Sequence, residues 1–416
     1  MKYYKGSLIR DLTYATDNEG HFEAVRSDGW EPKTEALEIY LDTLDDHDER
    51  DKMELLVPTE FNGYELKINH KHAAHCENGT ISALLRYYGI NLSEPMVFGL
   101  ASGLFFAHLT FIKMGGLPLT AFRTVPGVLF KRITRLLGIK SASQRFLSQE
   151  KSMRKLDELL LEKKIPVGCV VGIYELPYYP PENRFRFNGH NICIIGKDEE
   201  RNEYRVLDSN ATQKVTITRD DLLKVRFAKG AYPLMGQMYW IKSVPDDLPK
   251  RLSTDNPDVD FLRPLVLKAI SDTCKNMTSQ PKWFPYVGVN GIRYLAKRMR
   301  TWEEKMGRRK ARLQLVQVIR MLEEIGTGGA GFRFVYGAFL QEASERIGIA
   351  ELNDYSKRIT EIGDSWREFG YKASRVFKKR AGEEYTYDDL ADLLETIGDA
   401  ERSFFVDLKQ AVKKYQ

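Results

Sequence analysis

The stretch GHNICIIGKDEERNEYRVLDSN, residues 189–210, sets two apolar runs on either side of a polar centre. HNICIIG and EYRVLDS have the β-branched and aromatic content of strands. KDEERN between them has the composition of a turn, so the segment predicts an antiparallel hairpin. With the turn centred on Glu199, His190 and Asp208 each lie nine residues from it and face one another across the ladder. The same register pairs Ile192 with Val206 and Ile194 with Tyr204, leaving a loop of about five residues, within the usual hairpin range. A one-residue slip would put the polar pair on opposite faces, so the apolar pattern and the His/Asp pair select one register together.

A carboxylate beside a histidine fixes the imidazole tautomer and stabilises its protonated form, which makes the histidine a usable general base. A nucleophile is still needed. Asn78 to Tyr88 reads as a helix stopped by Gly89, and Cys76 stands at its start. Positive potential and unpaired N–H groups at a helix N-terminus favour a thiolate there and can bind an oxyanion on a substrate carbonyl. Each residue alone has an ordinary structural explanation, a packed cysteine or a satisfied core histidine. Their combination points to nucleophilic catalysis by Cys76, His190 and Asp208. Cys193 faces away from His190 on its strand and Cys169 sits within the apolar strand PVGCVVGIYEL, so both read as core. His75 either caps the helix or contributes to the site. Gly99 and Gly103, in FGLASGLFF, permit either helix packing or close backbone approach to a substrate.

Working outward, Lys151–Lys163 reads as a helix with Leu156, Leu159 and Leu160 on one face, VTITRDDLLKVRFAKG as a strand and helix, and QMYWIKSV as a closing strand. Prolines 245 and 249 and the STDNPD cluster mark a linker. The segments LQLVQVIRMLEEI, FRFVYGAFLQEASERI and DLADLLETIGDAERSFFVDLKQAV carry helical apolar spacing throughout. The predicted layout is therefore an acidic extension at 1–66, an α+β domain at 67–247 and a helical domain at 258–416, in keeping with 416 residues. A helix is predicted at Thr34–Asp45 within the extension.

Composition excludes several classes. At 43% hydrophobic and 29% charged residues the chain is globular rather than disordered. Its longest weakly polar run, Val97–Ile112, is short of a membrane span and reads as buried. No secretory signal pattern opens the sequence, and four cysteines without CxxC pairing or zinc-like spacing suit a reducing cytoplasm. Residues 1–66 carry a net charge of −10 and the remainder +15, which predicts an acidic partner for the basic body. The densest basic stretch, Lys297–Arg312, has no nucleic-acid-binding module or aromatic stacking pattern, so nucleic acid is not expected. GTGGAG, Gly326–Gly331, satisfies GxGxxG in letters, but a helix precedes it where a dinucleotide fingerprint needs a strand. Its glycines read as tight helix packing. Arg333 in the next turn, with Tyr336 beside it, is the candidate anion or substrate contact of that segment.

HCENGTISALLRYYGINLSEPMVFGLASGLFF and GHNICIIGKDEERNEYRVLDSN resemble the two parts of the N-terminal domain of the butirosin biosynthesis protein H family. GTGGAGFRFVYGAFLQEA is similar to the signature of the helical domain, of uncharacterised role, that often follows it. The resemblance spans about residues 70 to 410 with three motifs in order. It implies a papain-like fold with an antiparallel sheet, an N-terminal nucleophile helix and an all-helical C-terminal domain. It also implies acyl transfer from the phosphopantetheine thioester of an acidic acyl carrier protein to a small-molecule amine in natural-product biosynthesis, with no bound cofactor or metal. Cys76 matches the nucleophile, His190 the base and Asp208 its orienting partner; Glu94 and Gly103 match recurrent positions without an assigned role. No Gln stands shortly before Cys76, where papain-like peptidases place an oxyanion donor. The second donor is thus unassigned, and a plain peptidase is disfavoured. A cysteine hydrolase and an inactive binding module are the alternatives.

Overall fold

A computed structural model describes residues 61–114, 116–179, 187–230, 233–279, 281, 283–378 and 385–416. The helix expected at Thr34–Asp45 and the bulk of the acidic extension lie outside the described residues. The chain forms two compact units, one from residues 61–97 with Pro126–Asp258, the other from Phe98–Val125 with Val259–Gln416.

In chain order the elements begin with β1 (Tyr64–Glu65), α1 (Cys76–Tyr87), α2 (Glu94–Leu100), β2 (Leu104–Met114), β3 (Leu117–Arg123) and α3 (Val128–Leu136). They continue with β4 (Lys140–Gln144), α4 (Gln149–Asp157), β5 (Val167–Val171), β6 (His190–Asp198), β7 (Glu203–Leu207), β8 (Val215–Thr218), α5 (Arg219–Arg226) and β9 (Met238–Ser243). The remainder is helical: α6 (Leu248–Arg251), α7 (Val259–Thr278), α8 (Gly288–Met299), α9 (Trp302–Met306), α10 (Arg308–Ile319), α11 (Arg333–Ile347), α12 (Glu351–Lys378) and α13 (Tyr387–Lys413). The fold class is α+β, as the alternation of patterns predicts.

The first unit is built on an antiparallel sheet of order β4-β9-β5-β6-β7-β8. β5 covers His190–Ile194 of β6, and β1 adds beside the same strand farther along, at Gly196 and Lys197. β5 is buried along its whole length, and β6 at all but one position, which is why both read as nearly continuous apolar runs. Helix α1 packs on β6 and β5. Its face of Ile81, Leu84 and Leu85 is fully buried, and each such side chain contributes about 1.5–3 kcal/mol. Gly89, at φ 76°, ends the helix as predicted, because only glycine adopts the left-handed stop without a Cβ clash.

The hairpin forms, but in a different register from the expected one. Cys193 pairs with Leu207 and Ile194 with Val206; beyond a bulge, Gly196 pairs with Arg205 and Asp198 with Glu203. The turn is thus a four-residue loop over 199–202, with Asn202 at φ 52°. Near the site the register is shifted by two residues from the predicted pairing of His190 with Asp208. An even shift keeps every side chain on its face, so the two remain diagonal neighbours within side-chain reach. A Cβ on Gly196 would stand 2.6 Å from the Tyr64 carbonyl oxygen and 2.9 Å from Arg205 Cβ, so β1 approaches where the side chain is missing.

The second unit holds the β2–β3 hairpin and helices α7 to α13. Val97–Ile112, expected to be buried throughout, is buried at its start, but Phe111 and Ile112 are exposed on β2. GTGGAG packs, as the sequence suggests. LQLVQVIRMLEEI ahead of it is helical, and a Cβ on Gly331 would overlap the Phe122 ring at 2.4 Å. None of the described helices is long and apolar enough to cross a membrane.

Candidate active site

Cys76 is the first residue of α1, and the segment before it is fixed by three kinds of bond. Ala73 N–H donates to the Ser209 carbonyl at 3.2 Å, and His70 Nε2 lies 2.7 Å from the Ala211 carbonyl. Glu94, 2% exposed, accepts from Ala74 N–H at 2.9 Å and His75 N–H at 2.7 Å. These contacts tie the helix start to the residues just after Asp208. Gly79 makes the approach possible, since a Cβ there would lie 2.5 Å from Ala73 Cβ and 2.8 Å from Ser209 Cβ. His75 is the N-cap, its Nδ1 accepting from Asn78 N–H at 3.4 Å, so the structure places it as a cap. Glu77, in the first turn, accepts from Gly127 N–H at 2.8 Å and holds the start of α3.

His190 and Asp208 meet at 2.7 Å between Nε2 and Oδ2, both buried. Asp208 Oδ2 also accepts from the Tyr178 hydroxyl at 3.0 Å and the Tyr179 hydroxyl at 3.3 Å, while Oδ1 accepts from Asn210 N–H at 3.0 Å. Four donors on one buried carboxylate favour its ionised form. Burial alone would raise Asp208, but the His190 charge and these hydrogen bonds hold it below the ordinary carboxylate value. With Nε2 facing Asp208, Nδ1 is the ring nitrogen left to address Cys76, whose sulfur favours the charged imidazole. Burial works against the charged imidazole. The Asp208 carboxylate, bonded at 2.7 Å, and the Cys76 sulfur outweigh it and raise His190 from 6.5 to about 10. The two partners shift in opposite directions, as an ion pair requires.

Cys76 is half-buried, whereas Cys169, Cys193 and Cys274 are buried. Burial pushes all three core thiols upward, Cys274 to about 12. Cys76 is therefore the cysteine outside the core, and it stands at the start of α1. Tyr178, Tyr179 and Asn191 are site residues that sequence reasoning missed. Asn191 Nδ2 points at Cys76 Sγ from 3.9 Å and donates to the Gly189 carbonyl at 3.1 Å; its Oδ1 accepts from the Tyr239 hydroxyl at 2.8 Å. An amide in a run of buried strand residues, next to the candidate histidine, was the available signal.

The other sequence candidates have packing geometry. Arg333 is fully buried, with Nε and Nη2 donating to Glu401 at 2.8 and 3.0 Å and Nη1 to the Gly331 carbonyl at 2.7 Å. Trp366 Nε1 adds a 2.7 Å bond to the same carboxylate. A guanidinium neutralised in this way is a structural brace for the glycine loop rather than an open anion contact. Tyr336 is fully buried beside Thr273. Gly103 closes the turn after α2, its N–H donating to the Phe98 carbonyl at 2.9 Å, and a Cβ there would meet the Phe98 ring at 2.5 Å. In the basic stretch, Arg300 is bound by Asp388, Asp392 and Glu395, leaving Lys297, Lys305 and Arg308–Lys310 as its exposed cations without such partners among the contacts described.

The fold and site thus define an α+β domain with an accessible cysteine at a helix start beside a carboxylate-braced histidine, joined to a helical region. Residues 75–209 match the family described as butirosin biosynthesis protein H, N-terminal, and residues 220–408 match a domain of unknown function (DUF4872). The order and the two-domain layout are those the sequence motifs indicated. A search of curated proteins gives no match.

Proposed function

We propose that the protein is a cysteine-dependent acyltransferase of papain-like type that moves an acyl group from a phosphopantetheinyl carrier-protein thioester to an amine. The observation that carries this reading is a half-buried Cys76 at the start of α1, its sulfur 3.9 Å from Asn191 Nδ2, the residue next to a buried His190 braced 2.7 Å from Asp208. His190 takes the Cys76 proton, which its raised basicity favours. The sulfur attacks the thioester carbonyl and forms an S–C bond. Collapse breaks the bond to the phosphopantetheine sulfur, which leaves with the proton from His190. The amine then attacks the acyl carbon and gives its proton to His190, and the Cys76 sulfur departs as the amide forms. Exchange of one thioester for another needs little driving force, and amide formation makes the second step favourable. The N-terminus of α1 supplies positive potential for the oxyanion.

The family name supports a biosynthetic role. The exposed cations Lys297 and Arg308–Lys310 suit an acidic carrier protein, and docking there is expected to weaken with salt. A free, half-buried thiol suits a cytoplasmic setting. Incubation with acyl carrier-protein thioesters, with and without amines, tests the reading. Amide formed at the expense of free acid is the expected result. Free acid released at one rate in both cases would make the protein a cysteine hydrolase instead.

A further inference from the structure

We propose that Asn191 is the second oxyanion donor, binding the oxygen that becomes charged when the Cys76 sulfur attacks an acyl carbonyl. The inference rests on Cys76 being the nucleophile. The Asn191 side chain is 3% exposed, and its orientation is set from both ends. Its Oδ1 accepts from the Tyr239 hydroxyl at 2.8 Å, and one Nδ2 hydrogen goes to the Gly189 carbonyl at 3.1 Å. Flipping the amide would lose the Tyr239 bond and set Oδ1 against the Gly189 oxygen. Burial, followed by the nearby Glu77 and Cys76, keeps the Tyr239 phenol protonated, so it remains a donor. The second Nδ2 hydrogen is thereby aimed at the site.

At 3.9 Å from Cys76 Sγ, Nδ2 is too distant for a strong bond to the sulfur. That distance suits an oxyanion, which is two bonds from the sulfur and takes donors at about 2.7–3.1 Å. The donor comes from strand β6, next to His190, and not from the loop before the nucleophile. This accounts for the lack of a Gln shortly before Cys76.

The test compares two reactions of Cys76 in wild type, Asn191→Ala and Tyr239→Phe. Acylation by p-nitrophenyl acetate and by acetyl-N-acetylcysteamine passes through an oxyanion. Alkylation by iodoacetamide forms an S–C bond and expels iodide without one. Both are followed by intact mass, the buried cysteines serving as internal controls. Asn191→Ala is expected to slow acylation by ~10²–10³-fold while leaving alkylation within about threefold. Tyr239→Phe, which frees the amide without removing it, should slow acylation less and leave alkylation alone. Unchanged acylation, or acylation and alkylation falling by the same factor, would overturn the assignment. Wild type acylated by the ester but not the thioester would refute the proposed donor while still testing Asn191. Failure of both acylations at an alkylated Cys76 would refute both.

Discussion

Replacing Asp208 with Asn keeps the side-chain shape and removes the charge on which His190 depends. In the wild type every atom meeting this carboxylate is a donor: His190 Nε2, the Tyr178 and Tyr179 hydroxyls and Asn210 N–H. An amide offers one oxygen. If it faces His190 and the tyrosines, its NH2 meets Asn210 N–H and leaves buried donors unpaired, costing about 1–3 kcal/mol of stability. An opposite charge at this distance moves a pKa by about 1–3 units, or ~1.4–4 kcal/mol of proton affinity. His190 should therefore fall from about 10 in the wild type to about 7–9 in the variant. His190 is raised on folding, so it stabilises the protein fully below its unfolded value of 6.5, and that contribution is lost as pH rises through about 10. In Asp208→Asn the loss should occur at correspondingly lower pH. Histidine-labelled protein gives the readout by NMR titration, the His190 signal among the seven histidines being assigned by its disappearance in His190→Gln. A His190 midpoint that is the same in both proteins would refute the reasoning, since Asp208 would then not be what holds the proton.

Three further outcomes are expected. Glu94→Ala leaves the buried N–H groups of Ala74 and His75 without their acceptor, which should cost about 2–6 kcal/mol in urea unfolding; Glu94→Gln, retaining one acceptor oxygen, should cost less. Gly79→Ala forces a Cβ to within 2.5 Å of Ala73 Cβ. Thermal unfolding should show a loss of about 1–3 kcal/mol, and the iodoacetamide reactivity of Cys76 should change because the helix start is displaced. Arg333→Met strands the buried Glu401 carboxylate and should destabilise by about 3–5 kcal/mol, with much of the loss recovered in the double variant carrying Glu401→Met. Equal losses in the single and double variants would show that the pair is not what braces the glycine loop.

The strands were legible because β5 and β6 are buried nearly throughout, and a strand of that kind is apolar at nearly every position. The face shared by His190 and Asp208 was legible because alternation is local, whereas the pairing register was not. At the bulge, Tyr64 and Glu65, more than a hundred residues earlier in the chain, add beside Gly196. An isolated glycine inside a strand pattern is the usual sign of such an approach. Helix α1 was legible through Gly89 and its apolar face, though it begins at Cys76, two residues before the expected Asn78, with His75 as its cap. Tyr178 and Tyr179 precede the strand they serve and follow no period, so only the tertiary structure brings their hydroxyls to Asp208. Strand alternation alone directs Asn191 away from His190, and it hid the amide's approach to Cys76. Arg333 was over-read for the opposite reason: Glu401 lies 68 residues away, so an isolated basic side chain near glycines looked open when it was already paired.

Intact-mass spectrometry of wild type and Cys76→Ala after exposure to acyl carrier-protein thioesters tests the central claim most directly. The account predicts one acyl mass on the wild type, discharged by a competent amine, and none on the variant. An adduct of equal occupancy on Cys76→Ala, or a wild type that stays unmodified while its amide product accumulates with no slowing in the variant, would contradict it.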